Sequence, residues 1–499
     1  MLVLAAITLL LAGLPAVWAA LLVDLDSASS LKTASRQLAY DLMTYYKGNQ
    51  SGQTPGILPG PPPVGEYYWW EGGALWGTMI EYWMYTGDAS YVPVTTEAML
   101  FQTGAPQHAY MPPNWTASLG NDDQGFWGMS AMLAAEVNYP NPPADQPQWL
   151  ELAQAVFNTQ ASPERHDTTC GGGLRWQIPL ANIGYDYKNS IANGIFFNLG
   201  ARLARYTGNS TYSDWAVKTW DWVAGVGLMD KDMNVYDGAH VTDNCTDIQK
   251  AQFSYNAAVF MQGAAFMYNI TTGAERKQWH DRLDRLVNRT IEHFFETGPI
   301  IELACERPDK ILCKTDMLSF KGYAHRWMAS TAQLAAFTRP TIMATLKRSA
   351  AMAVKSCAGG HNGRQCGFRW TTGGYDGQTG AGEEMSALAA VMTLLLEHES
   401  IRGPVTHKDG GTSKGDPDAG GDPNPFPVAK PMTTGDRVGA WILTVLVLGL
   451  FMSLLVWIST EAGENGRTAY GSAVPAPARK RNLFKGRIPA VVVSQFSGK

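Results

Sequence analysis

Ser190-Ile191-Ala192-Asn193-Gly194-Ile195-Phe196-Phe197-Asn198-Leu199-Gly200-Ala201-Arg202-Leu203-Ala204-Arg205-Tyr206-Thr207-Gly208-Asn209 opens on polar residues, runs through an apolar stretch and places Gly208 where a helix C-cap would sit. Similar segments begin near Trp70, Asp123, Tyr255, Gly322 and Glu384, at intervals of about 53–67 residues. Related closing words recur at Tyr85-Thr86-Gly87-Asp88 and Thr271-Thr272-Gly273. Second helical patterns, with apolar residues recurring at three and four, run from Trp149 to Asn158, Tyr212 to Val226, Glu275 to Phe295 and Thr341 to Ser356. Ala28 to Tyr46 is the first partner. Six helix pairs in a row predict an all-α toroid in which inner helices ring a central cleft and outer helices wrap them. A linear helical solenoid is also a chain of helix pairs and stays open as the alternative.

In a toroid the starts of successive inner helices converge at one end of the ring. These starts are polar and aromatic: Tyr67 to Glu71, Asn121 to Gln124, Lys188-Asn189-Ser190 with Asn193, Phe253 to Asn256, Lys321-Gly322-Tyr323 with Arg326, and Gly382-Glu383-Glu384. The second sets two adjacent carboxylates among aromatics. Glycoside hydrolysis needs one carboxylate at the anomeric carbon and a second carboxyl group to protonate the leaving oxygen, with aromatic faces holding the sugar. Adjacent helical residues point about 100° apart, so the pair can flank one bond at the roughly 5–5.5 Å separation of a retaining mechanism. Like charges this close do not both ionise easily, so one carboxyl stays protonated near neutral pH. An Asp pair here is also what an ordinary N-cap with a solvated neighbour looks like. The six polar starts in register favour a shared glycan cleft.

Leu2 to Trp18 are almost entirely apolar, and small residues around Ala19 offer a cleavage site, so residues 1–19 read as a signal peptide, with a retained anchor as the alternative. Sequons at Asn49, Asn114, Asn209, Asn244, Asn269 and Asn288 fit a glycosylated lumenal or extracellular domain. Cys170, Cys245, Cys305, Cys313, Cys357 and Cys366 show no C-x-x-C spacing, which favours disulfides over zinc. Short separations favour Cys305 with Cys313 and Cys357 with Cys366, leaving Cys170 with Cys245, among the connectivities six cysteines allow.

Residues 438–460 contain no charge, and at about 1.5 Å per residue they span a hydrocarbon core of roughly 30 Å. They read as a single C-terminal transmembrane helix, with Trp441 and Trp457 near its ends and a basic cytoplasmic tail over residues 461–499; a buried core helix is the alternative. The tail holds seven basic and two acidic residues, so against a total of −5 the remainder carries −10. That balance disfavours nucleic acid and suits neutral glycans. Residues 403–437, crowded with Gly, Pro and Asp, read as a flexible stalk, leaving a globular domain over residues 20–402.

Several words together are more specific than any one of them: Trp69-Trp70-Glu71-Gly72-Gly73-Ala74, Gly120 to Trp127, Cys170 to Ile178, Lys188 to Gly194, Phe253 to Asn256 and Phe320 to Tyr323. Over about residues 22–400 the chain resembles the fungal glycoside hydrolase family 76 proteins, which include α-1,6-mannanases and membrane-tethered yeast cell-wall relatives. The resemblance implies an (α/α)6 barrel, a retaining endo-acting cut in α-1,6-linked mannan, Asp122 as nucleophile and Asp123 as acid/base. It also implies cleft roles for Trp70, Asn121, Trp127, Arg175, Trp176, Lys188, Asn189, Asn193, Tyr255 and Lys321. The cell-wall branch commonly ends in a GPI signal, whereas here about 40 residues with a basic cluster follow the apolar run, which favours a retained anchor. Ala257 and Ala258 stand where many relatives place a more polar or glycine-containing sequence.

The expected chemistry is proton donation by Asp123 as Asp122 attacks, followed by Asp123 acting as base on water or on another sugar hydroxyl. The first outcome is hydrolysis of mannan; the second transfers a mannose-containing, GPI-type glycan onto wall glucan. No cofactor or metal is expected. The expected location is the secretory pathway or plasma membrane, with the catalytic domain facing the lumen or the wall. A non-catalytic glycan-binding or wall-scaffolding membrane protein is the rival reading, and the intact Asp pair argues against it.

Overall fold

The computed structural model describes residues 20–306, 312–421 and 433–468. The expected signal peptide and residues 469–499 of the expected tail lie outside the described residues. Two compact units, residues 1–428 and 429–499, divide the chain.

In the first unit six long helices follow the six expected inner starts: α2 (Trp69–Thr86), α4 (Asn121–Glu136), α6 (Ser190–Thr207), α8 (Ser254–Ile270), α10 (Phe320–Leu334) and α12 (Ala381–Met392). Alternating with them are α1 (Ala28–Met43), α3 (Val92–Phe101), α5 (Trp149–Ala161), α7 (Ser210–Val226), α9 (Gly273–Phe294) and α11 (Arg339–Ser356). Each inner helix packs on the next, α12 returns to α2, and α1 closes the last pair against α12. The ring is closed, an (α/α)6 barrel, which removes the linear solenoid.

Burial explains the two layers. α8 is buried along nearly all its length, as a helix surrounded by helices must be, whereas α9 buries only Trp279, Leu283, Leu286, Val287, Thr290 and Phe294, a single stripe at three- and four-residue spacing. The inner helices approach closely where they lack side chains: a Cβ on Gly125 of α4 would stand 2.5 Å from Ile195 of α6. Gly87 and Gly208 end α2 and α6 in the left-handed conformation, as expected. The third closing word behaves differently. α8 ends in extended backbone at Thr271, and Gly273 is the first residue of α9, not the cap of α8.

Two further differences have clear causes. α3 was not foreseen, because ten residues with only Thr95, Ala98 and Met99 buried carry too little periodic signal. The flexible stalk does not begin at residue 403: residues 403–421 lie along the barrel. Val405 is buried and donates its N–H to Glu136 O at 2.8 Å, Ser413 Oγ accepts from Leu150 N at 2.9 Å, and Asn158 Nδ2 donates to the Pro417 and Ala419 carbonyls, each at 2.9 Å. Backbone groups paired in this way leave a Gly/Pro/Asp-rich segment with one ordered path.

The three disulfides are Cys170–Cys245, Cys305–Cys313 and Cys357–Cys366, the favoured pairing. All six sequon asparagines are exposed. In the second unit, α13 (Thr434–Thr468) contains a stretch, Thr434–Ser459, long and apolar enough to cross a membrane.

Candidate active site

Because inner and outer helices alternate in direction, the six inner N-termini share one end of the barrel, and Asp122 and Asp123 occupy the first turn of α4 there. That turn is clamped from four directions. Asn121 N donates to Trp176 O at 2.8 Å, Asn121 Nδ2 to Arg175 O at 2.9 Å, Arg165 Nη1 to Asn121 Oδ1 at 2.7 Å, and Gln160 Nε2 to Asn121 O at 2.7 Å.

The two carboxyl groups differ in their partners. Asp122 Oδ1 accepts from Asp123 N at 3.0 Å and Asp122 Oδ2 from Asn189 Nδ2 at 3.3 Å. Asp123 Oδ2 accepts from Gly120 N at 2.7 Å, while Oδ1 has no hydrogen-bond partner among the described residues. Burial pushes the Asp122 carboxyl well above the ordinary carboxylate range, and the Asp123 charge adds to the rise. Burial also pushes Asp123 up to about 6, against the Gly120 N–H and with the charge of Asp316. Such a pair readily holds one proton between two carboxyls.

The remaining expected cleft residues fall into two groups. Trp176 is exposed over about a third of its surface, edge-on to Tyr187, and so offers a ring to a ligand. Trp70 and Tyr255 are nearly buried, Trp70 against Phe126 and Tyr255 stacked on Phe320 at 3.8 Å between centroids. Trp127, by contrast, is fully buried between Trp69 and Tyr110, so the expectation that it contacts a sugar fails.

The same correction applies to Asn121, Lys188, Asn193 and Lys321, all of which are buried with their polar atoms committed. Lys188 Nζ ion-pairs with Asp167 and donates to the carbonyls of Thr169, Gly172 and Gly173. Asn193 brackets the Leu174 backbone, and Lys321 pairs with Glu306 and donates to Phe368 O. Arg175 is held by Asp167 and Tyr185 O. Asn121, Lys188, Asn193 and Arg175 thus hold the loop between α5 and α6, while Lys321 holds the connections before α10 and before α12. The Cys170–Cys245 bridge ties that loop to the segment around a small antiparallel sheet, β1 (Tyr187–Asn189), β2 (Gly238–His240) and β3 (Ile248–Gln249).

Sequence reasoning missed two carboxyl groups, Asp316 and Asp237, and read Glu71 only as part of a polar helix start. Asp316, in the turn before α10, is largely buried, and its charge raises Asp123, Glu71 and Tyr255. α10 stands three inner helices from α4 in the ring of six, which sets Asp316 across the mouth from the pair. Asp237 accepts from Tyr187 Oη at 2.7 Å beside Tyr255. Glu71 caps Tyr68 N with one oxygen and keeps its other oxygen buried without a partner. An Asp four residues before an expected inner start was the available signal for Asp316; Asp237, in a long connection, had none.

The family model of glycosyl hydrolase family 76 matches residues 30–408. The Saccharomyces cerevisiae protein named mannan endo-1,6-alpha-mannosidase DCW1 is 44% identical over 439 residues, covering 87% of this chain and 94% of its own. The one named mannan endo-1,6-alpha-mannosidase DFG5 from the same yeast is 40% identical over 443 residues, covering 87% and 94%. Among solved structures, Dfg5 from Chaetomium thermophilum, described in complex with glucosamine, is 56% identical, with a TM-score of 0.76, covering 80% of this chain and 97% of that one. The clamped Asp pair at the mouth of a closed helical ring thus stands in a chain that belongs to glycosyl hydrolase family 76.

Proposed function

We propose that the protein is a retaining glycosidase of the cell wall that acts on α-1,6-linked mannose through Asp122 and Asp123. The observation that carries this reading is the asymmetry of the pair. Both oxygens of Asp122 accept N–H bonds, which favours the carboxylate needed for attack, while Asp123 keeps Oδ1 free to carry a proton to the glycosidic oxygen. Asp122 attacks the anomeric carbon, the Asp123 proton moves to the departing oxygen, and a mannosyl ester forms on Asp122. Asp123, now ionised, takes a proton from the incoming hydroxyl, whose oxygen displaces Asp122. Water at that position gives hydrolysis; a glucan hydroxyl gives transfer to the wall.

The relatives' names support mannan as donor. The partly exposed carboxyl groups of Asp316 and Asp237 support a sugar bearing an amine, in keeping with the glucosamine in the Chaetomium relative. The apolar stretch of α13 supports retention in a membrane with the barrel on the lumenal or wall side, and the exposed sequons support glycosylation there. The test is incubation of the full chain in detergent with α-1,6-manno-oligosaccharides, with and without a β-glucan acceptor, beside Asp122→Asn and Asp123→Asn. Shortened or transferred products, lost in both variants, are expected; binding without products in all three proteins is the result of a scaffold.

A further inference from the structure

The structure assigns Asn189 the role of a positioning residue: its amide NH2 donates to Asp122 and so favours the ionised nucleophile against the burial that opposes it. This rests on the mechanism above and replaces the expected substrate contact of Asn189.

Asn189 ends β1 and caps α6. Its Oδ1 accepts from Ala192 N at 3.2 Å, so the carbonyl end of the amide is committed to the helix and the NH2 end is turned to Asp122 Oδ2, 3.3 Å away. The backbone beneath is immobilised. Asn189 pairs with Gly238 of β2, its carbonyl accepts from Asn193 Nδ2 at 2.8 Å, and the next residue donates its N–H to Asp237 O at 2.8 Å. Asn189 and Asp122 are both buried, which keeps the contact away from bulk solvent. An NH2 group can only donate, and a donor to a carboxyl oxygen favours its ionised form.

Apart from the Asp123 N–H in the same turn, the other groups that bear on Asp122 work in the opposite direction or are neutral. Asp123, on the same helix, disfavours the second charge, and Tyr255, from α8, is a neutral phenol held protonated by burial. Beyond them, Asp316 acts on Asp123 and Asp237 on Tyr255, and both are anionic when ionised. Of these groups Asn189 alone favours the Asp122 carboxylate from another element. Without it Asp122 would hold a proton more tightly, and a larger share of the protein would carry the pair's proton on the nucleophile.

Asn189→Ser separates this role from capping, since serine caps a helix about as well as asparagine but is too short to reach Asp122. In the full chain we expect Asn189→Ser to keep its Tm and its KM, to lose about 10–100-fold in kcat, and to have the acidic limb of its pH profile moved to higher pH. A wild-type rate and profile would make Asn189 a cap only, and a raised KM with unchanged kcat would return it to substrate contact. Carboxyl 13C titration of Asp122 needs no turnover and so separates this inference from the mannosidase reading. Asp122 should titrate at higher pH in Asn189→Ser than in the native protein, and identical titrations would overturn the assignment.

Discussion

Gly120 and Asp123 close the first turn of α4 on itself: the Gly120 N–H donates to Asp123 Oδ2 at 2.7 Å, and the same glycine leaves room for Asp122. A Cβ at Gly120 would stand 2.3 Å from Asp122 Oδ1. Gly120→Ala therefore displaces Asp122 while the backbone, with φ of −92°, accepts alanine without strain. Steady-state kinetics should show kcat falling about 100-fold, as misplacement of a reacting group by an ångström does, with little change in Tm.

Asp316→Asn removes a negative charge that raises Asp123. The pair is active when it holds one proton, so kcat/KM should be bell-shaped in pH. Loss of the Asp316 charge makes that proton easier to remove. The basic limb should move to lower pH, read from kcat/KM profiles of the two proteins.

Several buried carboxyls also tie stability to pH. Burial pushes Glu302 and Glu383 up to about 7, Asp123 up to about 6, and Glu71 and Glu384 well above the ordinary range. The folded chain thus binds protons at pH values where the unfolded chain, with ordinary carboxyls, does not, so stability rises as pH falls through the folded values. Asp167, held below the ordinary range chiefly by Lys188, Thr169 and Arg175 against its own burial, loses its contribution only at lower pH. His166 and His325, pushed down to about 4 by burial, and His293, also lowered, work the other way as pH falls below the ordinary histidine value. The five raised carboxyls outnumber them, so calorimetry should give a higher Tm at pH 5.5 than at pH 8.

A barrel ending at residue 421 should be more stable than one ending at residue 402. The longer chain keeps buried Val405 and the hydrogen bonds from Leu150 and Asn158 to the strap formed by residues 403–421. Burying one valine contributes about 1.5 kcal/mol, so the difference should be a few kcal/mol in denaturant unfolding. Equal midpoints would mean that the strap adds nothing.

The helix pairs were legible because each inner start repeats the same change from polar to apolar, and the Asp pair because its two adjacent acids stand among aromatics inside a matching motif word. The individual ligand contacts were not. Lys188, Lys321 and Asn193 belong to the matching motif words for structural reasons: each satisfies backbone carbonyls or buried carboxylates that hold the mouth loops, and a motif word does not distinguish that from sugar contact. Asp237 sits in a connection without periodicity, and the strap was misread because composition reports chain stiffness, not the surface a segment finds. Asn189 was legible as part of a polar helix start and as a cleft residue; only the placement of its two amide atoms tells which end meets Asp122.

The central claim is that Asp122 forms the covalent bond to mannose. Incubation of the full chain with an activated fluorinated α-mannosyl fluoride, followed by peptide mass spectrometry, tests it directly. The account predicts a single mannosyl adduct on Asp122, absent in Asp122→Asn and retained in Asp123→Asn, where the reagent's own leaving group needs no acid. An adduct on Asp123, or turnover with no adduct and inverted product stereochemistry, would contradict it.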